Sequence, residues 1–303
     1  MIFLLGSIKK SLKKVRGHFF KYDISVIDNY SSLDDVLKKK LSVIRLGDGE
    51  FDIMAGKDIP YQTYVKALDM KLREIVLGGS LHNIMVCLPD VFKKINRYNK
   101  SCRNFYYESF FYQNRKLLTK IESKNNVYGS TFLSRPYIDL KDKSGVSNYF
   151  DKLKLLWNGK DILIVEGKYT RSGEGNDLFK NAKSIKRVIA PSHDAFSKYQ
   201  AIEESILNNA GDRLILLMLG PTSKVLVYDL KTNYRISNQI LDIGHIDSEY
   251  EWFKIGAKKK VKIPHKHTAE FNYDDENIVM LNDKNYEDQI VDRIGISLKP
   301  SKK

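Results

Sequence analysis

The chain has 303 residues, enough to bury a substantial core as one large domain or two. Its 42% hydrophobic and 29% charged residues are ordinary for a globular protein, and no apolar run approaches the roughly 20 residues of a membrane-spanning helix. The opening Met1–Leu5 is too short for a secretory signal and basic residues follow it instead of preceding it, so a cytoplasmic location is expected.

The net charge is +14, from 51 Lys and Arg against 37 Asp and Glu, and part of the excess is concentrated. Lys9, Lys10, Lys13, Lys14, Arg16 and Lys21 precede the first acid, Asp23, and a second cluster is Lys258, Lys259, Lys260, Lys262 and Lys266. Basic surfaces attract phosphates, nucleic acids and anionic lipids, although a solvated lysine-rich face has the same composition. Residues 1–22 read as a basic arm in which Ile2, Phe3, Leu4, Leu5, Ile8, Leu12 and Val15 recur at roughly helical spacing. That pattern serves equally for a helix on the inner face of a membrane, on its own domain, or on a second subunit of an oligomer. Nucleic acid is not expected as a partner, because no recognisable binding module is present and the acid-rich loops would repel a phosphate backbone. Cys87, inside an apolar run, and Cys102 lack metal-ligand spacing and are expected to stay reduced.

In chain order, Ser31–Lys40 carries serine caps and early acids, the marks of a helix start. An apolar strand at 42–46 follows, then a helix at about 64–77 ending at Gly78-Gly79, and a strand at 84–88 stopped by Pro89. The stretch 90–122 reads as mostly helical, with Phe105, Tyr106, Tyr107, Phe110, Phe111 and Tyr112 forming a core face. Apolar runs at 161–165, 185–190 and 214–219 have the character of parallel strands buried on both faces. Helical segments near 177–183, 194–208 and 222–231 separate them, and a short strand at 239–243 precedes a last helix near 247–255. The alternation predicts an α/β fold, a Rossmann-like, mostly parallel sheet flanked by helices. Residues 284–303 are polar and predict a loosely held tail.

In such a sheet, ligands bind beyond the carboxyl ends of the strands, and four turns there carry unusual chemistry. The first is Gly47-Asp-Gly-Glu50. If the segment stays extended, Asp48 and Glu50 point the same way and could face one divalent cation, with Mg2+ or Mn2+ suited to such oxygen ligands. The second, Glu166–Asp177, offers Gly173 and Gly175 for close backbone approach, Arg171 as a bidentate phosphate donor, and Asn176 or Asp177 as a helix cap. The third is Gly220-Pro-Thr-Ser223, a helix start with free N–H groups. The fourth, Asp242–Trp252, packs four carboxylates, a histidine and two aromatics into eleven residues.

These segments, Ile44–Phe51, Gly173–Phe179, Gly220–Ser223 and Gly244–Trp252, stand in the order and context of one bacterial family. The chain resembles the GT-D-fold glycosyltransferases, which carry a DxE metal motif, over residues 30–272. The arm at 1–29 and the tail at 273–303 fall outside the resemblance. It implies a Rossmann-like transferase that uses a nucleotide sugar and Mn2+ or Mg2+, in a family whose members include UDP-glucose-dependent enzymes extending glycans on serine-rich-repeat adhesins. The expected partners are therefore a UDP-sugar donor and a glycan or glycoprotein acceptor. Asp48 and Glu50 match the DxE positions, and Ser223 stands where alanine is expected. The donor site expected from the turns comprises Arg45, Gly47, Gly49, Arg171, Gly175, Asn176, Asp177, Gly220, Pro221 and Thr222. By position alone, Asp247 or Glu249 would be the catalytic base and His245 a third metal ligand. A metal-dependent nucleotide phosphohydrolase would use the same groups and is the alternative enzyme.

Overall fold

The structure, a computed structural model, describes residues 21–268, 271 and 278–295. Most of the basic arm, and with it the proposed amphipathic helix, lies outside the described residues. Among the described residues nine strands form a single sheet: β1 (Ser25–Val26), β2 (Ser42–Arg45), β3 (Ile84–Leu88), β4 (Val127–Ser130), β5 (Asp161–Gly167), β6 (Ser184–Ala190), β7 (Leu214–Met218), β8 (Ile240–Asp242) and β9 (Ile290–Arg293). Their order is β1-β4-β3-β2-β8-β7-β5-β6-β9, and every pairing is parallel. The α/β sheet anticipated from the alternation of apolar runs and helical segments is therefore present. β2, β3 and β7 are buried along their whole length, as the unbroken apolar runs of β3 and β7 require; β2 also buries Ser42 and Arg45.

The principal helices are α1 (Asn29–Lys39), α2 (Asp48–Met54), α3 (Lys66–Gly78), α4 (Val146–Lys154), α5 (Tyr199–Ala210), α6 (Pro221–Thr232), α7 (Ile246–Lys254) and α8 (Lys284–Asp288). Short helical segments fill 91–122, including a π-helical turn at Tyr106–Phe110. Tyr106, Phe110 and Phe111 are buried there, and Phe110 meets Phe51 of α2 edge to face at 4.9 Å, so the expected core face holds for these three, whereas Phe105 is exposed and Tyr107 and Tyr112 are half-buried. Both cysteines are free and buried.

Three local expectations fail. The segment 177–183 forms turns instead of a helix. Gly173 and Gly175 hold positive φ, Leu178 and Phe179 are buried, and Trp157 packs on Phe179 at 5.0 Å while donating to the Leu178 carbonyl at 3.0 Å. Tertiary packing overrides the local helix preference. The supposed tail is also ordered in part: α8 leads into β9, which pairs with β6 at the sheet edge, and Tyr286 is buried beneath it. Finally, Gly47-Asp-Gly-Glu50 does not stay extended. It opens α2, with Gly47 as the N-cap and the Glu50 side chain accepting from the Gly47 N–H at 2.7 Å. No helix among the described residues is long and apolar enough to cross a membrane.

Candidate active site

The chain order places a crevice at the centre of the sheet. From β2 the chain moves outward to β3 and β4, crosses to β5 and β6 on the other side, and returns with β7 and β8 to close on β2. A cavity of about 960 Å³ lies over the carboxyl ends of the strands, lined by turns following β2, β4, β5, β6, β7 and β8. From β2 and its turn come Arg45, Gly47, Asp48, Gly49 and Glu50, from the β7 turn Gly220, and from the β8 turn His245. The structure thus gathers these seven expected residues around one space.

Its floor is a buried array of alternating charge. Register between β2 and β8 sets Arg45 beside Asp242, and the Arg45 Nε donates to the Asp242 carbonyl at 2.8 Å. Its Nη2 reaches the Asp242 carboxylate at 3.3 Å and the Gly244 carbonyl at 2.9 Å. Lys224, in the first turn of α6, extends its ammonium to Asp242 Oδ2 at 3.0 Å, Glu50 Oε1 at 3.2 Å and the Gly220 carbonyl at 3.0 Å. Burial alone would raise the Asp242 carboxyl, but Lys224 and Arg45 together pull it below its ordinary value. Burial also raises Glu50, and the Lys224 ammonium and the Gly47 N–H only partly offset that rise. Such an array tolerates burial because each charge has an opposite neighbour and further hydrogen bonds.

Two turns meet under one ring. Gly220 holds φ +53°, and a Cβ there would lie 2.7 Å from the Tyr61 ring; a Cβ on Gly49 would lie 3.4 Å from the Tyr61 hydroxyl. Arg135, Asp139, Lys258, Lys259, Lys260 and His267 also line the cavity. The sequence marked Lys258–Lys260 as a basic cluster but gave no sign of its place. Lys224 and Tyr61 had no signal of their own, being a helix-start lysine and a loop aromatic far along the chain from the residues they meet.

Eight expected residues stay off the lining, five of them with their side chains engaged elsewhere in the fold. Arg171 is buried in a fork with Glu174, bonds Glu287 at 3.1 Å and stacks on Tyr286 at 4.0 Å, leaving it no route to a phosphate in the cavity. Gly175 lies on the same loop, off the lining. Asn176 donates to Asp247 at 2.9 Å and Glu251 at 2.7 Å, and Asp177 accepts from the Tyr250 hydroxyl at 2.9 Å. Asp247 accepts from the Gly173 N–H at 2.7 Å and from buried Lys266 at 2.8 Å. Glu249 is fully buried and accepts the Tyr137 and Ile138 N–H groups at 2.8 and 3.0 Å. Neither carboxylate lines the cavity, so neither is positioned as a base. Pro221 and Thr222 are buried in the first turn of α6, behind the lining.

The fit to a divalent cation is uneven. Asp48 is exposed toward the cavity, whereas Glu50 is committed to Gly47 and Lys224. Among the described residues no group of three or more His, Cys, Asp or Glu side chains is arranged to hold a metal. A cation held by one carboxylate, with phosphates and water completing its shell, matches how Mg2+ is commonly bound.

Comparison with known proteins adds a second line. Residues 43–271 match the family described as glycosyltransferase GT-D fold. The chain is 51% identical over 269 residues to the "Probable glycosyl transferase Gly" of Streptococcus gordonii, covering 88% of this chain and 38% of that protein. It is 48% identical to "Glycosyltransferase GlyD" of Streptococcus pneumoniae serotype 4, covering 87% and 32%. The chain therefore spans about a third of the length of these curated relatives. Among solved structures, "A New Glycosyltransferase (DUF1792) from Streptococcus sanguinis" is 51% identical, with TM-score 0.85 over 89% of this chain and 99% of that one. A selenomethionine-substituted structure of domain of unknown function 1792 is 48% identical, with TM-score 0.86 over 95% and 100%.

Proposed function

The chain belongs to the glycosyltransferase GT-D fold family, and on that premise we propose that it moves a hexose from a UDP-sugar to a glycan acceptor on a glycoprotein or cell-surface polysaccharide. UDP-glucose is the first donor to test. The observation that carries this reading is the cavity at the sheet's crossover, with Asp48 at its edge, a fixed cation on its floor and lysines on its wall. Its volume of about 960 Å³ is that of a nucleotide-sized ligand site.

Breaking the bond between sugar and diphosphate concentrates negative charge on the leaving group. Preorganised cations stabilise that charge without reorganising as the reaction proceeds, and Lys100, Arg135 and Lys258–Lys260 are among those on the lining. A divalent cation, Mn2+ or Mg2+, would be held by Asp48 and would add Lewis-acid neutralisation of the diphosphate. The glycines of the first and third turns let Tyr61 pack closely over both turns at the cavity's edge. The acceptor hydroxyl must also lose a proton, and Asp247 and Glu249 both lie off the lining.

The decisive assay measures transfer from UDP-glucose with Mn2+ and with chelator. Asp48→Ala should lower turnover by about 100-fold or more with the melting temperature nearly unchanged, because Asp48 is exposed. Full turnover by that variant, or full activity in chelator, ends the metal-dependent reading.

A further inference from the structure

One ring of the aromatic stretch breaks from the core and turns to the cavity. The segment Lys100–Phe105 is helical, and Ser101, Cys102, Phe105 and Tyr106 stand at helical spacing along one face, all four on the cavity lining. Cys102 and Tyr106 are buried, whereas Phe105 is 39% exposed. Its ring is perpendicular to Tyr106 at 5.2 Å and tilted against Phe110 at 6.4 Å, and Phe110 rests on Phe51 of α2, three residues after Asp48. The π-helical turn at Tyr106–Phe110 that follows is a rare widening of a helix, frequent at functional sites. A phenyl ring seated on two others and open toward a cavity is a platform.

The surroundings of the ring indicate what it receives. Ser101 and Lys100 are exposed beside it, and Arg135 and Asp139, paired at 3.1 Å, line the same cavity. A pyranose ring carries slightly positive C–H groups on one side, which the negative face of a phenyl ring attracts, and hydroxyls around its edge, which need polar partners. A nucleobase offers two flat faces and no such rim of hydroxyls. Position in the sheet agrees: the wall bearing Phe105 follows β3, on the opposite flank of β2 from the β8 and β7 turns that carry His245 and Gly220.

We propose that Phe105 is the stacking platform of an acceptor subsite that takes a pyranose ring of the glycan, with the Ser101 hydroxyl, one helical turn before it, bonding the sugar's edge. This rests on the transferase reading above. The incoming sugar then lies on the β3 flank and the nucleotide on the β8–β7 flank, and the two substrates meet at the turn after β2.

The test separates acceptor from donor in the full chain. Binding of methyl β-D-glucopyranoside and methyl β-D-galactopyranoside is followed by saturation-transfer NMR with UDP and Mn2+ present, and binding of UDP and UDP-glucose by calorimetry. The parent should pass saturation to at least one pyranoside, most strongly to the C–H protons on one side of its ring. Phe105→Ala should weaken that pyranoside by about tenfold or more. Phe105→Leu, which keeps apolar bulk without a π face, should weaken it by about fivefold, and Phe105→Trp should retain it. These two variants keep the test readable if Phe105→Ala does not fold. UDP and UDP-glucose affinities should stay within about twofold of the parent in all three. Loss of UDP affinity in Phe105→Ala would make the ring a nucleobase platform, and loss confined to UDP-glucose would make it a support for the donor's hexose; either overturns the inference. A parent that takes up neither pyranoside, or a Phe105→Leu chain that binds as the parent does, overturns it too. A parent that binds a pyranoside but no UDP overturns the donor reading and leaves the platform standing.

Discussion

Gly220 sits at φ +53° and ψ −137°, a backbone region effectively reserved for glycine, beneath a Tyr61 ring that leaves no space for a methyl group. Gly220→Ala should therefore cost about 2 kcal/mol or more, from backbone strain and displacement of Tyr61, read as a lower midpoint in urea denaturation at constant slope. At the same scale, burial raises the Glu249 carboxyl to about 7, with Arg135 and two backbone N–H groups opposing only part of the rise. A folded-state value above the ordinary 4.5 means that this group's stabilisation is complete below about pH 4.5 and is lost as pH climbs through about 7. The melting temperature of the parent should include a decline between about pH 4.5 and pH 7 that Glu249→Gln lacks, since the amide oxygen still accepts both N–H groups. An identical slope in both proteins would contradict it. Asp48, Glu50, Gly220 and His245 were legible in the sequence because an apolar run that stops in glycine and acid marks a strand end. The conformation of the first turn was not, since the glycine at the cap position hides the usual hydroxyl signature of a helix start. Lys224 was invisible because its meaning comes from two carboxylates, Glu50 and Asp242, brought by other elements.

Among the elements, the C-terminal α8–β9 unit has the least sequence signal and a firm anchor. The Tyr286 hydroxyl donates to Glu166 Oε1 at 2.8 Å, and its ring lies between the guanidinium groups of Arg171 and Arg187 at 4.0 and 4.2 Å. Glu166 in turn accepts the Ser172 N–H at 2.8 Å and pairs with Arg187 at 2.5 Å. This explains the misplacement of Arg171: a guanidinium in a glycine-rich loop suits phosphate, but the stronger local attraction is to Glu174 and an aromatic face supplied from the end of the chain. Tyr286→Phe should cost about 1.5–3 kcal/mol, the usual value for a hydrogen bond to a charged group, measured by chemical denaturation. A cost near zero would mean that Arg187 and Ser172 satisfy Glu166 unaided. The long strands β5, β6 and β7 could be read from their apolar runs, whereas β1, β4 and β9 are only two to four residues long and mix polar with apolar side chains. Only pairing with neighbours makes them strands.

For the whole molecule, the surplus of basic residues divides by depth. Lys258 and Lys259 are exposed on the cavity wall, where salt screens them within about 10 Å, while Lys224 is sealed into the floor. Replacing Lys258, Lys259 and Lys260 by glutamine should raise the donor KM a few-fold at low ionic strength, with the difference fading toward about 0.5 M salt. A salt-independent change in KM would show that these lysines act by direct contact instead of by their field. The Arg45–Asp242–Lys224–Glu50 array draws its four members from β2, β8, α6 and α2, so no single segment can peel away without stranding a charge in the interior. Local breathing at the bottom of the cleft is consequently as costly as melting the whole sheet, and the slowest-exchanging amides should include Arg45 and Gly47, whose N–H groups are tied to the array itself.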